Sequence, residues 1–458
     1  IIDNKLIDKH FIKNRVENGL KALKELQKIT DKYTPEYTEK ITGVRKELLF
    51  EAATTYANAP TAMIATGMGM SQQTVGTNNV YSLINMCLIS GQIGKELCGI
   101  NPPRGQNNVQ GATDVGASPV NYPGYIPVTD NDNRERIAKL WNVDYESLDP
   151  NKGLTTLEIM DAIHSKDIKG LYIMGENPVI TDPNQNHTIE ALENIDFLVV
   201  QDIFETETAY YADVILPAAS LYEKDGTVVN SDRRVLRLRQ AINPSSEVRQ
   251  DWEIILQIAE KMGYNIGKYN NPEEIFDEIS QAAPILGGIN YKRIEKEGIQ
   301  WPCYDENHPG TSSLFLDKFN TISGKAKIIP VDYEAQSETV SEEYPFVMNS
   351  GRMLFHYHSA TMSRKSDILT SYANESYVII NSNDAAKLGI IDGEEVAVIS
   401  PRGSLKTKAR IRDEVLTGEC FMPWHFHEAP VNALTRNKKD PQSKIAPFKY
   451  SVVRIEKL

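Results

Sequence analysis

Apolar residues at Leu20, Leu23 and Leu26 recur at three-residue spacing between lysines and glutamates, and residues 1–56 keep this helical period. The stretch predicts scaffold helices. The run Thr61-Ala-Met-Ile-Ala65 predicts a short buried strand, followed by a loop at Gly67-Met-Gly-Met-Ser71 and an amphipathic helix over 79–90 closed by Gly91. From Leu154 the period alternates: a helix to His164, a strand over 171–174, a helix over 186–194, a strand over 197–200, a short helix, and a strand over 213–216. Strands alternating with helices imply parallel units with right-handed crossovers, whose ligands sit outside the carboxyl ends of the strands. Those ends are Gly175-Glu-Asn-Pro178, Gln201-Asp202 and Pro217, two of them polar where plain packing would suffice.

Further along, Asn271 followed by Pro272, Glu273 and Glu274 predicts a capped helix start. The acidic stretch 331–343 reads as a linker. Beyond it, Leu405, Thr407, Ala409 and Ile411 alternate with Lys406, Lys408, Arg410 and Arg412, the pattern of a half-buried strand. With Asp392-Gly393 and Pro401-Arg-Gly403 as turns, this end predicts a small β-barrel. The expected class is therefore α/β, with parallel-sheet, Rossmann-like domains followed by a C-terminal β-barrel. Residues 99–125 keep neither period, and a polar stretch of that length between apolar helices marks a functional loop.

Composition narrows the function classes. The 458 residues are 41% hydrophobic and 24% charged, enough for two or three domains with a sizeable core. A net charge of −13 with no basic patch speaks against a nucleic-acid partner. No apolar run approaches the roughly 18 residues of a transmembrane helix. Cys87, Cys98, Cys303 and Cys420 are scattered, with neither a disulfide framework nor a metal-binding Cys-x-x-Cys, and read as buried free thiols. The dinucleotide fingerprint Gly-x-Gly-x-x-Gly is absent, so an ordinary nicotinamide site is not expected. The chain opens at Ile1 directly in a helical pattern, which suggests a cut inside a longer protein.

Arg104 lies in the glycine-bordered segment Arg104-Gly-Gln-Asn-Asn-Val-Gln-Gly111, where a guanidinium can grip a small carboxylate through two parallel hydrogen bonds. Spacing alone slightly favours the plainer alternative, a surface arginine. Gln106, Asn107, Asn108 and Gln110 offer amides suited to a polar heterocycle or to the loop's own backbone. His356 with His358, and His425 with His427, are two residues apart, so on strands each pair would share a side. A metal site there ranks below polar packing or cofactor contact, and no metal ligand is assigned. Lys449 can reach an anionic ligand oxygen such as a phosphate's, although a solvated lysine is the commoner outcome.

At Gly67-Met-Gly-Met-Ser-Gln72, Gly99-Ile-Asn-Pro-Pro-Arg-Gly-Gln-Asn-Asn-Val-Gln-Gly111 and Met174-Gly-Glu-Asn-Pro178, the sequence closely resembles the formate dehydrogenase α subunits of the molybdopterin (dimethyl sulfoxide reductase) superfamily. The match continues through Gln201-Asp-Ile-Phe204, Ala212-Asp-Val-Ile-Leu-Pro-Ala218, Glu223-Lys-Asp-Gly-Thr227, Asp251-Trp252, Gln300-Trp-Pro-Cys303, Gly351-Arg352 and Phe448-Lys-Tyr450. The resemblance implies a double-psi form of barrel and three regions: 1–106, the remainder of an α/β domain with the arginine loop; 107–311, a guanine-dinucleotide domain; and 312–458, the barrel. It implies bis-molybdopterin guanine dinucleotide carrying molybdenum or tungsten, with a cysteine or selenocysteine ligand and an iron–sulfur cluster (4Fe–4S) in a segment before Ile1.

Carried over residue by residue, Arg104 matches the arginine that orients formate. Met68, Gln72 and Gln106 match pterin contacts, and Gly175, Glu176, Asn177, Thr181, Gln201 and Asp251 match dinucleotide contacts. Arg352, His356, His358, Asn432 and Lys449 match residues closing over the pterins. The implied reaction interconverts formate and carbon dioxide, with an iron–sulfur or flavin subunit as electron partner and cytoplasm as the default compartment. A nitrate reductase, or a non-catalytic structural or electron-transfer subunit of the same fold, are the alternatives.

Overall fold

The N-terminal helical period folds as Lys9–Arg15, Gly19–Thr30, Pro35–Thr42 and Lys46–Asn58 in a computed structural model that describes residues 1–267 and 269–458. Asp8 caps the first helix by accepting from Phe11 N at 2.8 Å, and Thr34 caps the third, which ends at Gly43 with φ 72°. These caps satisfy backbone groups that a helix leaves unpaired at its ends. Leu23 and Leu26 pack with Ile12 and Leu88, and with Phe319, Ala326 and Ile328 from far along the chain. Residues 319–328, which follow the sequence boundary drawn at 312, thus lie against the N-terminal helices, and Ala326 N donates to Arg15 O at 2.9 Å. The barrel's first strand starts at Phe346.

Several local expectations change. The strand Met63–Ala65 forms but is not buried: among the described residues it pairs only with Gly99–Asn101, in parallel, and so small a ribbon leaves Met63 and Ala65 exposed. Met68–Ser71 is a helical turn rather than a loop, and the following helix, Gly76–Ile89, begins earlier than the pattern suggested. The polar stretch 99–125 is not irregular throughout, since it contains the helix Val109–Asp114.

The alternating region forms as expected. Strands Gly170–Met174, Phe197–Asp202 and Val214–Pro217 make a parallel sheet in that order, with Met174 opposite Gln201 and Gln201 opposite Leu216. Their carboxyl ends are therefore level. Helices Thr156–His164 and Gln185–Asn194 cover the sheet through Met160, Ile163, Ala191 and Leu192. An antiparallel sheet of Gly226–Val229, Arg234–Leu238 and Ile299–Gln300, which the sequence pattern did not reveal, packs against Phe276 of the helix Pro272–Ala282. Asn271 caps that helix as its sequence predicts, accepting from Glu274 N at 3.1 Å.

The C-terminal end closes into a six-stranded barrel of Phe346–Gly351, Tyr377–Ile380, Glu395–Ser400, Gly403–Ile411, Glu419–Pro423 and Ser451–Lys457. Around the barrel they run first, fifth, second, fourth, third, sixth, mixing parallel and antiparallel pairs. Leu405, Thr407 and Ala409 point inward, as the period-two pattern requires. Residues 331–343 hold no helix or strand, yet they are not a free linker. Glu338 pairs with Arg402 at 2.7 Å with both side chains largely buried, and Gln336 accepts from Thr74 at 2.7 Å. The segment is a strap fixed by long-range bonds. No helix among the described residues is long and apolar enough to cross a membrane.

Candidate functional site

Two neighbouring cavities open where the parallel sheet's carboxyl ends face the barrel. One, of about 510 Å³, is lined by Met68, Gln72, Glu176, Thr181, Asp182, Arg352, Asn432 and Lys449, among others. The second, of about 330 Å³, is lined by Gly175, Asn177, Gln201, Asp202, Lys224 and Asp251. Gln106, Met174, Glu176 and His358 line both, so these four side chains form the seam.

The sheet side is acidic and tightly braced. Gln201, fully buried, accepts from the Tyr172 hydroxyl and donates to Asp251 Oδ1 at 2.7 Å, while Lys224 Nζ lies 2.6 Å from Asp251 Oδ2. Asn177 accepts from the Thr208 hydroxyl at 2.8 Å and donates to Glu207 at 2.7 Å. Gly175 adopts φ 65°, a left-handed turn that suits glycine, and leaves open space beside its Cα. Burial raises the Glu176 carboxyl above its ordinary range. Asp182 is pushed up to about 7, by burial first and then by Glu176, and its Oδ2 has no partner among the described residues. A buried acceptor without a donor is costly on its own and is relieved by a ligand bearing N–H groups.

The barrel side is cationic. Lys449 Nζ donates to Ser350 O at 2.6 Å, and burial, reinforced by Arg352, pushes it down to about 8. His358 and His425 are each pushed down to about 4, mainly by burial, so both rings are neutral near pH 7. Met353 N donates to His425 Nε2 at 2.9 Å, which makes Nε2 the acceptor and leaves the proton on Nδ1, bonded to His358 O. Asn432 donates to Ile180 O at 2.8 Å and Thr181 O at 3.2 Å, stitching the barrel to the sheet's first carboxyl end.

The histidine pairs do not sit on strands as their spacing suggested. His358 has φ 50°, which breaks any two-residue repeat, and His427 turns away toward Glu207 and Glu428. His356 lies behind the cavity wall, bonded to Ser363 Oγ and Ala373 O. Among the described residues no cluster of three or more histidine, cysteine, aspartate or glutamate side chains is arranged to hold a metal.

Arg104 occupies a separate cavity of about 870 Å³, with Gln110, Tyr125, Ser231, Arg233 and Trp301. Its backbone N–H donates to Ser231 Oγ at 2.8 Å and its Nε donates to Gln110 Oε1 at 2.9 Å. Among the described residues its two Nη groups have no hydrogen-bond partner. The loop that carries it divides this cavity from the other two: Gln106 lines them, and Gly105 packs against the Arg352 guanidinium. Asn107 N also donates to the Tyr357 hydroxyl at 2.9 Å, tying the loop to the barrel.

Among the residues carried over by resemblance, only Arg104 and His356 stand off the paired cavities; of the other candidates, Asn107, Asn108, Gln110, His425 and His427 do not line them either. Sequence reasoning did not single out Tyr172, Asp182, Lys224 or Trp424, which line them. Lys224 lay within the quoted Glu223-Lys-Asp-Gly-Thr227, and Asp182 follows Thr181 directly; Tyr172 sits mid-strand and carried no signal.

Residues 3–261 match the molybdopterin oxidoreductase family, and residues 346–452 match the molydopterin dinucleotide binding domain. The chain is 50% identical to the F420-dependent formate dehydrogenase subunit alpha of Methanocaldococcus jannaschii, covering 100% of this chain and 67% of that protein. It is 39% identical to formate dehydrogenase H of Escherichia coli, covering 100% of this chain and 63% of that one. The assimilatory nitrate reductase catalytic subunit of Bacillus subtilis is 37% identical, covering 99% and 65% respectively. The chain thus spans about two thirds of these relatives' length. In fold, it superposes on acetylene hydratase from Pelobacter acetylenicus with a TM-score of 0.75 at 17% identity, over 100% of this chain and 69% of that one.

Proposed function

This chain belongs to the molybdopterin oxidoreductase family, and from that premise we propose that it is the catalytic-subunit portion of a formate dehydrogenase, interconverting formate and carbon dioxide. The observation that carries the cofactor half of this reading is the polarity of the paired cavities. They run from carboxylates at the strand ends (Glu176, Asp182, Asp202 and Asp251) to cations at the barrel (Arg352 and Lys449). A guanine offers N–H donors along one edge and a pyrophosphate offers anionic oxygens, so a molybdopterin guanine dinucleotide fits in chemical kind. The unpartnered Asp182 Oδ2 is an acceptor of the sort such an edge satisfies.

In this reading Gly175, Glu176, Asn177, Gln201 and Asp251 hold the dinucleotide end. Met68, Gln72, Gln106, Arg352, His358, Asn432 and Lys449 face the pterin and phosphates, and His356 braces the wall. When bound, the pterin-held molybdenum or tungsten supplies the two-electron redox chemistry. The protein's own contribution to the reaction is Arg104. Its free Nη edge pairs with both oxygens of a carboxylate and fixes which way the remaining C–H bond points, a positioning effect. An iron–sulfur cluster (4Fe–4S) and an iron–sulfur or flavin subunit would supply the route for the electrons.

The competing reading is a nitrate reductase, since nitrate is also a planar anion with paired oxygens and one relative carries that name. Assaying the native, cofactor-loaded enzyme with an artificial electron carrier separates the two. Formate oxidation is expected to outrun nitrate reduction by about a hundredfold or more, a difference of ~2.7 kcal/mol in barrier. Faster nitrate reduction would replace the formate reading.

A further inference from the structure

We propose that Gln110, backed by Asp114, Tyr125 and Trp301, is a positioning device that grips Arg104 by its Nε edge and keeps its Nη edge free for substrate. The proposal rests on the formate reading for its consequence, but the device itself is read from a closed set of hydrogen bonds. Gln110 Oε1 accepts from Arg104 Nε at 2.9 Å. Gln110 Nε2 donates to Asp114 Oδ1 at 2.7 Å and to the Tyr125 hydroxyl at 2.8 Å. That hydroxyl donates in turn to Asp114 Oδ1 at 2.7 Å, and Trp301 Nε1 donates to Asp114 Oδ2 at 2.7 Å. Gln110 is 5% exposed and Asp114 0%, so the centre of the network is shielded from water, while Tyr125, 36% exposed, closes it at the cavity wall.

The arrangement solves a specific difficulty. A buried carboxylate close to an arginine normally forms a two-pronged ion pair with it, which would occupy the edge a substrate needs. Here Asp114 accepts from three neutral donors, and Gln110 stands between it and the guanidinium. Burial raises the Asp114 carboxyl above its ordinary range; the three hydrogen bonds and then Arg104, one hydrogen bond away, act against that rise, and the substrate edge stays open. Helix Val109–Asp114 sets the spacing, because residues four apart share a helix face and so place Gln110 against Asp114. Ser231 fixes the arginine's backbone from the other side. The role given to these residues runs through Arg104 and not through contact with substrate.

The test uses the native, cofactor-loaded enzyme carrying Gln110→Glu, Asp114→Asn, the Gln110→Glu/Asp114→Asn swap, or Tyr125→Phe. Gln110→Glu puts two carboxylates face to face, whereas the swap exchanges acid and amide and lets every hydrogen bond form again, with the second oxygen of the carboxylate at position 110 occupied by the amide at position 114 and the Tyr125 hydroxyl so that a single oxygen faces Arg104 Nε. Two readouts are taken, the KM and kcat for formate, and the rate at which phenylglyoxal, a guanidinium reagent, labels Arg104 as followed by mass spectrometry. Gln110→Glu is expected to raise the formate KM about thirtyfold and change Arg104 labelling at least threefold, with both returning to within about threefold of wild type in the swap. Tyr125→Phe, a milder change that keeps the ring, is expected to raise KM several-fold. Unchanged labelling and KM in Gln110→Glu and Tyr125→Phe would overturn the device, as would a folded swap that fails to recover. Altered labelling that recovers in the swap while formate kinetics never move would leave the device standing and overturn the formate reading instead.

Discussion

Replacing Arg104 by alanine in the native enzyme is expected to lower kcat/KM for formate by about a thousandfold or more, while the bound metal and pterin stay at wild-type levels. The two halves of this expectation come from one geometric fact. Arg104 lines its own cavity and is separated by Gly105 and Gln106 from the pair of cavities assigned to the dinucleotide. Removing its side chain therefore subtracts the carboxylate grip without touching the cofactor's walls. Arg104→Lys is expected to recover little, because a lysine supplies charge but not two parallel N–H donors in a plane. Turnover and metal content measured on the same preparations check both halves. A variant that loses its metal together with its activity would place Arg104 in the cofactor site rather than beyond it.

Arg352→Glu is expected to do the reverse and empty the enzyme of its dinucleotide, to roughly a tenth of wild-type content or less, without unfolding the barrel. The reason lies in the charge states of the barrel side. His358 and His425 are pushed down to about 4, so both rings are neutral near pH 7, and Arg352 and Lys449 are the cationic side chains that face the cavity from this wall. Reversing Arg352 places a carboxylate beside a bound phosphate and against the loop at Gly105. The barrel's own core, built on Met348, Val378, Val398 and Leu405, does not include Arg352. Guanine nucleotide and metal released per chain, with the thermal midpoint as a control for folding, decide the matter. Full retention of the dinucleotide would remove Arg352 from its binding.

The sequence showed most clearly those features that short-range chemistry specifies. Alternation at Leu405, Thr407 and Ala409 marks a strand half in water, and the Asn271 cap announces its helix before the first turn is complete. The polar strand ends at Gly175, Gln201 and Asp202 stood out because buried packing has no use for them, and they line one cavity. What was hidden depends on distant partners. Residues 331–343 look like a linker because their charge is local, whereas the Arg402 that neutralises Glu338 lies far along the chain. His356 and His358 look like one face of a strand until the backbone turns left-handed at His358. The division of labour across Gly105, with Arg104 in one cavity and Gln106 in the others, has no periodic signature at all.

That division is the claim on which the rest stands, and a structure of the native enzyme determined with its cofactor and formate tests it most directly. The account predicts a dinucleotide running through the seam at Gln106, Glu176 and His358, with a small carboxylate held by the Nη groups of Arg104 across the loop. A dinucleotide seated in the 870 Å³ cavity instead, or an Arg104 side chain turned away from any bound anion, would contradict it.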